Sequence, residues 1–118
     1  MIRAASAWLL VVGLVTTPAA LAHSLLLEAS PAPDAVLVMP LDRVTLRFNN
    51  RIEKKLSRLT LVSERGSTRP LALTLGGAPD QLGAPLPPLD AGQWRLDWSV
   101  LSTDGHLVTG RYSFRVLQ

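Results

Sequence analysis

Hydrophobic and polar residues alternate through most of this chain. Val44, Leu46 and Phe48 interleave with Thr45, Arg47 and Asn49, and Leu59 and Leu61 interleave with Thr60 and Val62. Leu71, Leu73 and Leu75 make a third alternating set. The clearest case is Trp94, Leu96, Trp98 and Val100, opposed by Gln93, Arg95, Asp97 and Ser99. Tyr112, Phe114 and Val116 follow, opposed by Arg111, Ser113 and Arg115. A period of two is that of a strand with one buried face. A first strand is expected over Ser24 to Ala29 and a short helical turn near Glu53 to Ser57. Between these runs lie turn-forming clusters: Ser30-Pro31-Ala32-Pro33-Asp34, Met39-Pro40, Glu64-Arg65-Gly66-Ser67, Gly76-Gly77-Ala78-Pro79-Asp80, and the stretch Pro85 to Gly92. About seven short strands with frequent turns predict an all-β chain, an immunoglobulin-like Greek-key β-sandwich or barrel. The Cys…Trp…Cys mark of true immunoglobulin domains is absent, because the chain has no cysteine.

The first residues break this pattern. Met1-Ile2-Arg3 is a short, positively charged start, and Trp8 to Val15 is an apolar run. Thr16, Thr17 and Pro18 end the run, and Ala20 and Ala22 are small residues placed for a peptidase cut. This is the three-part secretory signal, expected to be removed after export. The apolar run is short for a membrane span, which needs about 20 residues. Residues 1–22 are therefore read as a signal peptide and residues 23–118 as one small, exported β domain.

Composition adds two constraints. Without cysteine the exported domain has no disulfide and no thiolate ligand, so its stability must come from an apolar core or a bound ligand. The charge is a modest +3. Arg43, Arg47, Arg51, Lys54, Lys55 and Arg58 form one basic stretch, with Glu53 inside it and no interleaved aromatics. Lacking stacking residues, it reads as a solvated face and not as a nucleic-acid patch.

The chain has two histidines. A cut after Ala22 makes His23 the first residue, so one residue offers both an α-amine and an imidazole. His106 lies in Ser102-Thr103-Asp104-Gly105-His106, in the connection between the last two strands. In extended chain, residues i and i+2 point the same way, so Asp104 and His106 can converge, with Gly105 allowing a bend. If the first strand ends near that connection, His23 joins them. Two imidazoles, an amine and a carboxylate suit the tetragonal N/O preference of Cu(II). The same set also suits zinc, and Asp-Gly alone is a common turn pair.

The chain resembles the CopC family of periplasmic copper-binding proteins across nearly all of residues 23–118. The resemblance is carried by His23, by Ala29-Ser30-Pro31-Ala32, by Val44-Thr45-Leu46-Arg47-Phe48 and by Ala91-Gly92. Its most specific part is Trp98 through Ser102-Thr103-Asp104-Gly105-His106, followed by Thr109-Gly110-Arg111-Tyr112-Ser113-Phe114-Arg115-Val116. The resemblance implies a Greek-key β-barrel that binds one Cu(II) per chain through the amine and imidazole of His23, Asp104 and His106. It also implies a role in copper homeostasis or resistance and an inner-membrane, CopD-like copper transporter as partner. No enzyme activity and no nucleic-acid partner are assigned, and a monomer is expected. The chain departs from the pattern in three places. Asn50 stands where some relatives carry a glutamate, and Leu107 replaces a proline common after the histidine. Cleavage leaves Met39 as the one methionine, too few for a multi-sulfur Cu(I) site.

Two other classes share export and the β-fold. A secreted copper oxygenase also uses an N-terminal histidine with a second histidine. This short chain, however, leaves little room for a flat substrate surface. A metal-free interaction module would function unchanged without His23 and His106.

Overall fold

The computed structural model describes residues 25–117, together with Gly13 before them. Its elements are β1 (Leu26–Ser30), β2 (Val36–Leu37), β3 (Arg43–Phe48), a single 3-10 turn (Lys54–Leu56), β4 (Arg58–Ser63), β5 (Thr68–Pro70), β6 (Gln81–Pro85), β7 (Gly92–Leu101) and β8 (Leu107–Val116). They form a three-stranded sheet, β1-β3-β6, and a five-stranded sheet, β2-β8-β7-β4-β5. Only the β2–β8 pair is parallel among these ladders. The chain crosses repeatedly between the sheets, as the expected sandwich requires. The predicted signal peptide and its cleavage site lie outside the described residues. No described helix is long and apolar enough to cross a membrane.

The alternating residues supply the core. Val44, Leu46 and Phe48 of β3 are fully buried, and they face Leu59, Leu61, Leu96, Val100, Phe114 and Val116 of the larger sheet. Their neighbours Arg43, Thr45 and Arg47 point outward, so the period of two is satisfied by one dry face.

Two expectations change in detail. Leu71, Leu73 and Leu75 do not form a strand. Leu71 is buried and Leu73 packs on the core, but Leu75 is exposed, and the segment's one ladder contact is an isolated bridge from Thr74 to Gly83. The preceding strand, β5, ends at Pro70, and the chain then crosses to the other sheet. There it forms β6, which ends on Pro85, the first residue of a stretch expected to be turn. Gly83 has a packing reason. A Cβ there would stand 3.0 Å from Nη2 of Arg43 and 3.3 Å from the Val44 carbonyl. Arg43 continues past it to donate to Oγ1 of Thr74 at 2.6 Å.

The basic stretch is dispersed by folding. Arg47 pairs with Glu28 at 3.0 Å on the smaller sheet, and Lys54 donates to the Gly76 carbonyl at 2.8 Å. Arg58 belongs to the larger sheet.

Candidate metal centre

The two longest strands, β7 and β8, run antiparallel from Gly92–Val116 up to Leu101–Leu107. Five residues, Ser102 to His106, close the hairpin. The Ser102 N–H donates to the His106 carbonyl and the Gly105 N–H to the Ser102 carbonyl, both at 2.9 Å. Gly105 takes φ 89°, a left-handed conformation that glycine adopts without a Cβ penalty. The loop is therefore closed by its own backbone and turns sharply between the two expected ligands.

Asp104 and His106 do converge. Nδ1 of His106 stands 3.2 Å from Oδ1 of Asp104, and both side chains are about half exposed. The same Oδ1 accepts from the His106 N–H at 3.3 Å and from the Ser102 hydroxyl. Ser102 is nearly fully buried and also reaches the His106 carbonyl at 3.2 Å. These donors hold the Asp104 carboxyl below its ordinary value of 3.8, with the Ser102 hydroxyl contributing most. Hydrogen bonding to a charged form favours that form. An ionised carboxylate beside an imidazole nitrogen is a fitting donor pair for a borderline cation. Two neighbouring ligands of a tetragonal metal stand roughly 3 Å apart when each bond is about 2.0–2.1 Å.

Among the described residues, no group of three or more His, Cys, Asp or Glu comes together. The third expected ligand residue, His23, lies outside the described residues. Leu25 lies two residues after it in the sequence. The Leu25 N–H donates to Oδ1 of Asn49 at 2.7 Å, and the Asn49 N–H donates back to the Leu25 carbonyl at 3.0 Å. Two residues further on, the Arg51 carbonyl accepts from the Thr103 N–H at 3.2 Å, and Ile52 bridges to Ser102. The segment Asn49 to Ile52 thus joins the start of β1 to the hairpin loop.

Asn49 and Ser102 are positioning residues that the sequence reading missed. Each acts through a partner that only tertiary pairing reveals. The available signal was an amide at the end of an alternating strand and a hydroxyl two residues before an aspartate. Asn50, the position of the absent glutamate, is half-buried in the same segment.

Trp98 supports this end of the sandwich from below. Its ring meets Phe48 edge-on, with centroids 5.4 Å apart and planes at 71°. Phe48 precedes Asn49, and Trp98 lies four residues before Ser102, so one aromatic contact ties the two sheets beneath the loop.

Comparisons with known proteins agree with this architecture. The CopC domain family matches residues 26–117. Copper resistance protein C of Escherichia coli is 33% identical over 106 residues, covering 82% of this chain and 83% of that protein. Copper resistance protein C of Pseudomonas syringae pv. tomato is 29% identical over 112 residues, covering 88% of each chain. The crystal structure of CopC from Methylosinus trichosporium OB3b superposes with a TM-score of 0.73 at 31% identity, covering 80% of this chain and 94% of that one. PcoC, a methionine-rich copper resistance protein from Escherichia coli, gives 0.66 at 31% identity, covering 80% of this chain and 98% of its own. Sequence, sheet order and hairpin loop converge on one assignment: the chain belongs to the CopC family of copper-resistance proteins.

Proposed function

We propose that this protein is a periplasmic Cu(II) carrier that binds one copper ion per chain. Residues 1–22 act as a cleaved leader, and the cut after Ala22 makes His23 the N-terminus. The amine and imidazole of His23, the imidazole of His106 and the carboxylate of Asp104 hold the ion. The carrier works as a monomer, sequestering copper or passing it to a CopD-like transporter in the inner membrane. No catalytic activity is assigned.

One observation carries this reading. Asp104 and His106 stand 3.2 Å apart on a backbone-closed loop, and the Asn49–Ile52 segment bonded to that loop also holds Leu25. Leu25 is two residues from His23, a reach of at most about 7 Å of chain. The donor set is hard-to-borderline nitrogen and oxygen, which favours Cu(II) over Cu(I). The relative named methionine-rich differs here, since Met39 is the one methionine beyond Met1 and it is exposed.

The test is a Cu(II) competition titration of protein confirmed by mass to begin at His23, beside a form carrying residues before His23. One tight equivalent in the processed form, lost in the extended form, is expected. Equal affinity in both forms would overturn the N-terminal chelate.

A further inference from the structure

The outer face of the five-stranded sheet carries an arginine-flanked groove that the copper reading does not use. Cross-strand register places Arg58, Ser99 and Thr109 in one row and Thr60, Asp97 and Arg111 in the next. These six residues line a concave space of about 570 Å³, with Trp98 and Gly110 contributing its floor. Arg95 and Arg115 extend the same face, so it holds four arginines and one carboxylate.

The single carboxylate is already engaged. Asp97 stands directly opposite Arg111 in the ladder. Its two oxygens nevertheless accept from Nε and Nη2 of Arg95 at 2.7 and 3.0 Å. This two-point pair consumes the negative charge of Asp97 along its own strand. No described carboxylate comes within ion-pair distance of Arg58 or Arg111. Two guanidinium forks therefore face one groove, with the hydroxyls of Thr60, Ser99 and Thr109 between them.

We infer that this groove binds the phosphate group of an anionic ligand. Guanidinium forks match phosphate oxygens in pairs, and each hydroxyl supplies one more donor. Such a donor set exceeds what the two oxygens of a carboxylate can accept, whereas a tetrahedral phosphate offers three or four. The same chemistry is presented by free phosphate esters and by anionic phospholipid headgroups. Nothing in this inference depends on copper.

The test uses metal-free chain beginning at His23 and two probes. Inorganic phosphate is titrated by calorimetry, and vesicles of phosphatidylcholine with or without phosphatidylglycerol are tested by flotation. The variants are Arg58→Gln, Arg111→Gln and their combination, with Lys55→Gln as a charge-matched control for the single changes and circular dichroism to check the fold. Saturable phosphate binding weakened more than about tenfold by the combined change, and untouched by Lys55→Gln, supports a soluble phosphate ligand. Binding to phosphatidylglycerol vesicles that the Arg58 and Arg111 changes abolish, without measurable binding of free phosphate, supports the groove and assigns the headgroup as its ligand. Failure of both probes to bind, or binding that the combined variant retains at wild-type strength, overturns the inference. If the combined variant does not fold, the two single variants decide on the same criteria.

Discussion

The indole of Trp98 occupies the space that a side chain at Gly110 would need. The two residues are opposed in the β7–β8 ladder, and a Cβ on Gly110 would stand 2.6 Å from Cε2 and 2.7 Å from Cη2 of the ring. Gly110 is thus required by contact with the aromatic ring, not by backbone conformation. Because Trp98 also meets Phe48 edge-on, its position links the two sheets under the hairpin loop. Gly110→Ala is expected to displace the indole and destabilise the domain by about 1–3 kcal/mol, the usual penalty of overpacking. Urea unfolding gives the loss, and a changed near-ultraviolet dichroism spectrum would show that Trp98 has moved. Unchanged stability and spectrum would mean that the indole does not fill the space a side chain at Gly110 needs.

Asn49 holds Leu25 by two hydrogen bonds, one through its side chain. In Asn49→Ala the Leu25 N–H turns to water, since the site is exposed. The stability loss should therefore be at most about 1 kcal/mol. Copper binding is expected to suffer more, by severalfold, because the chain leading to His23 is released. Asn49→Asp keeps the acceptor oxygen and should restore affinity. Competition titrations of the three proteins check this, and equal affinities would separate the Asn49 bond from the metal site.

Much of this architecture was legible in the sequence, and the unread parts have physical reasons. Alternation around Val44–Phe48 and Trp94–Val100 revealed strands because each has one dry face. Alternation failed at Leu71–Leu75, where apolar residues plug the core from a crossing segment without a ladder. It also failed at β6, where Gly83 yields to the Arg43 side chain from a neighbouring strand. Asp104 and His106 were legible as a pair from their spacing, although the sharp turn at Gly105, and not extended chain, brings them together. Asn49 and Ser102 were not, since their hydrogen bonds join segments whose meeting depends on the fold.

Ser102 gives the metal-free loop a pH dependence of definite sign. Its hydroxyl is the largest cause of the lowered Asp104 pKa. A group whose folded pKa is depressed contributes stability above its unfolded pKa, and that contribution is lost as pH falls through the folded value. Wild-type protein should therefore exceed Asp104→Asn in melting temperature at neutral pH, and the gap should close below about pH 4. Ser102→Ala should raise the Asp104 pKa toward 3.8. It should also cost about 1–2 kcal/mol, because the hydroxyl is buried and bonded. Carboxyl carbon shifts followed by NMR report the first effect, and urea unfolding the second. A gap that persisted or widened in acid would contradict the direction.

Copper itself should stabilise the processed chain through linkage. A ligand that binds only the folded state at about 100 times its Kd adds roughly 2.7 kcal/mol. For a domain of this size, that corresponds to a rise of about ten degrees or more in melting temperature. His106→Ala removes one imidazole from the loop and should abolish most of the rise, as should any residue left ahead of His23. Asp104→Asn should lose less if the carboxylate mainly orients His106, and as much as His106→Ala if it holds the ion directly. Zinc at equal concentration should stabilise less, following the affinity order of divalent metals. Thermal melts of the four proteins with each metal separate these outcomes. A rise that survived in both His106→Ala and the extended form would place the copper elsewhere on the protein.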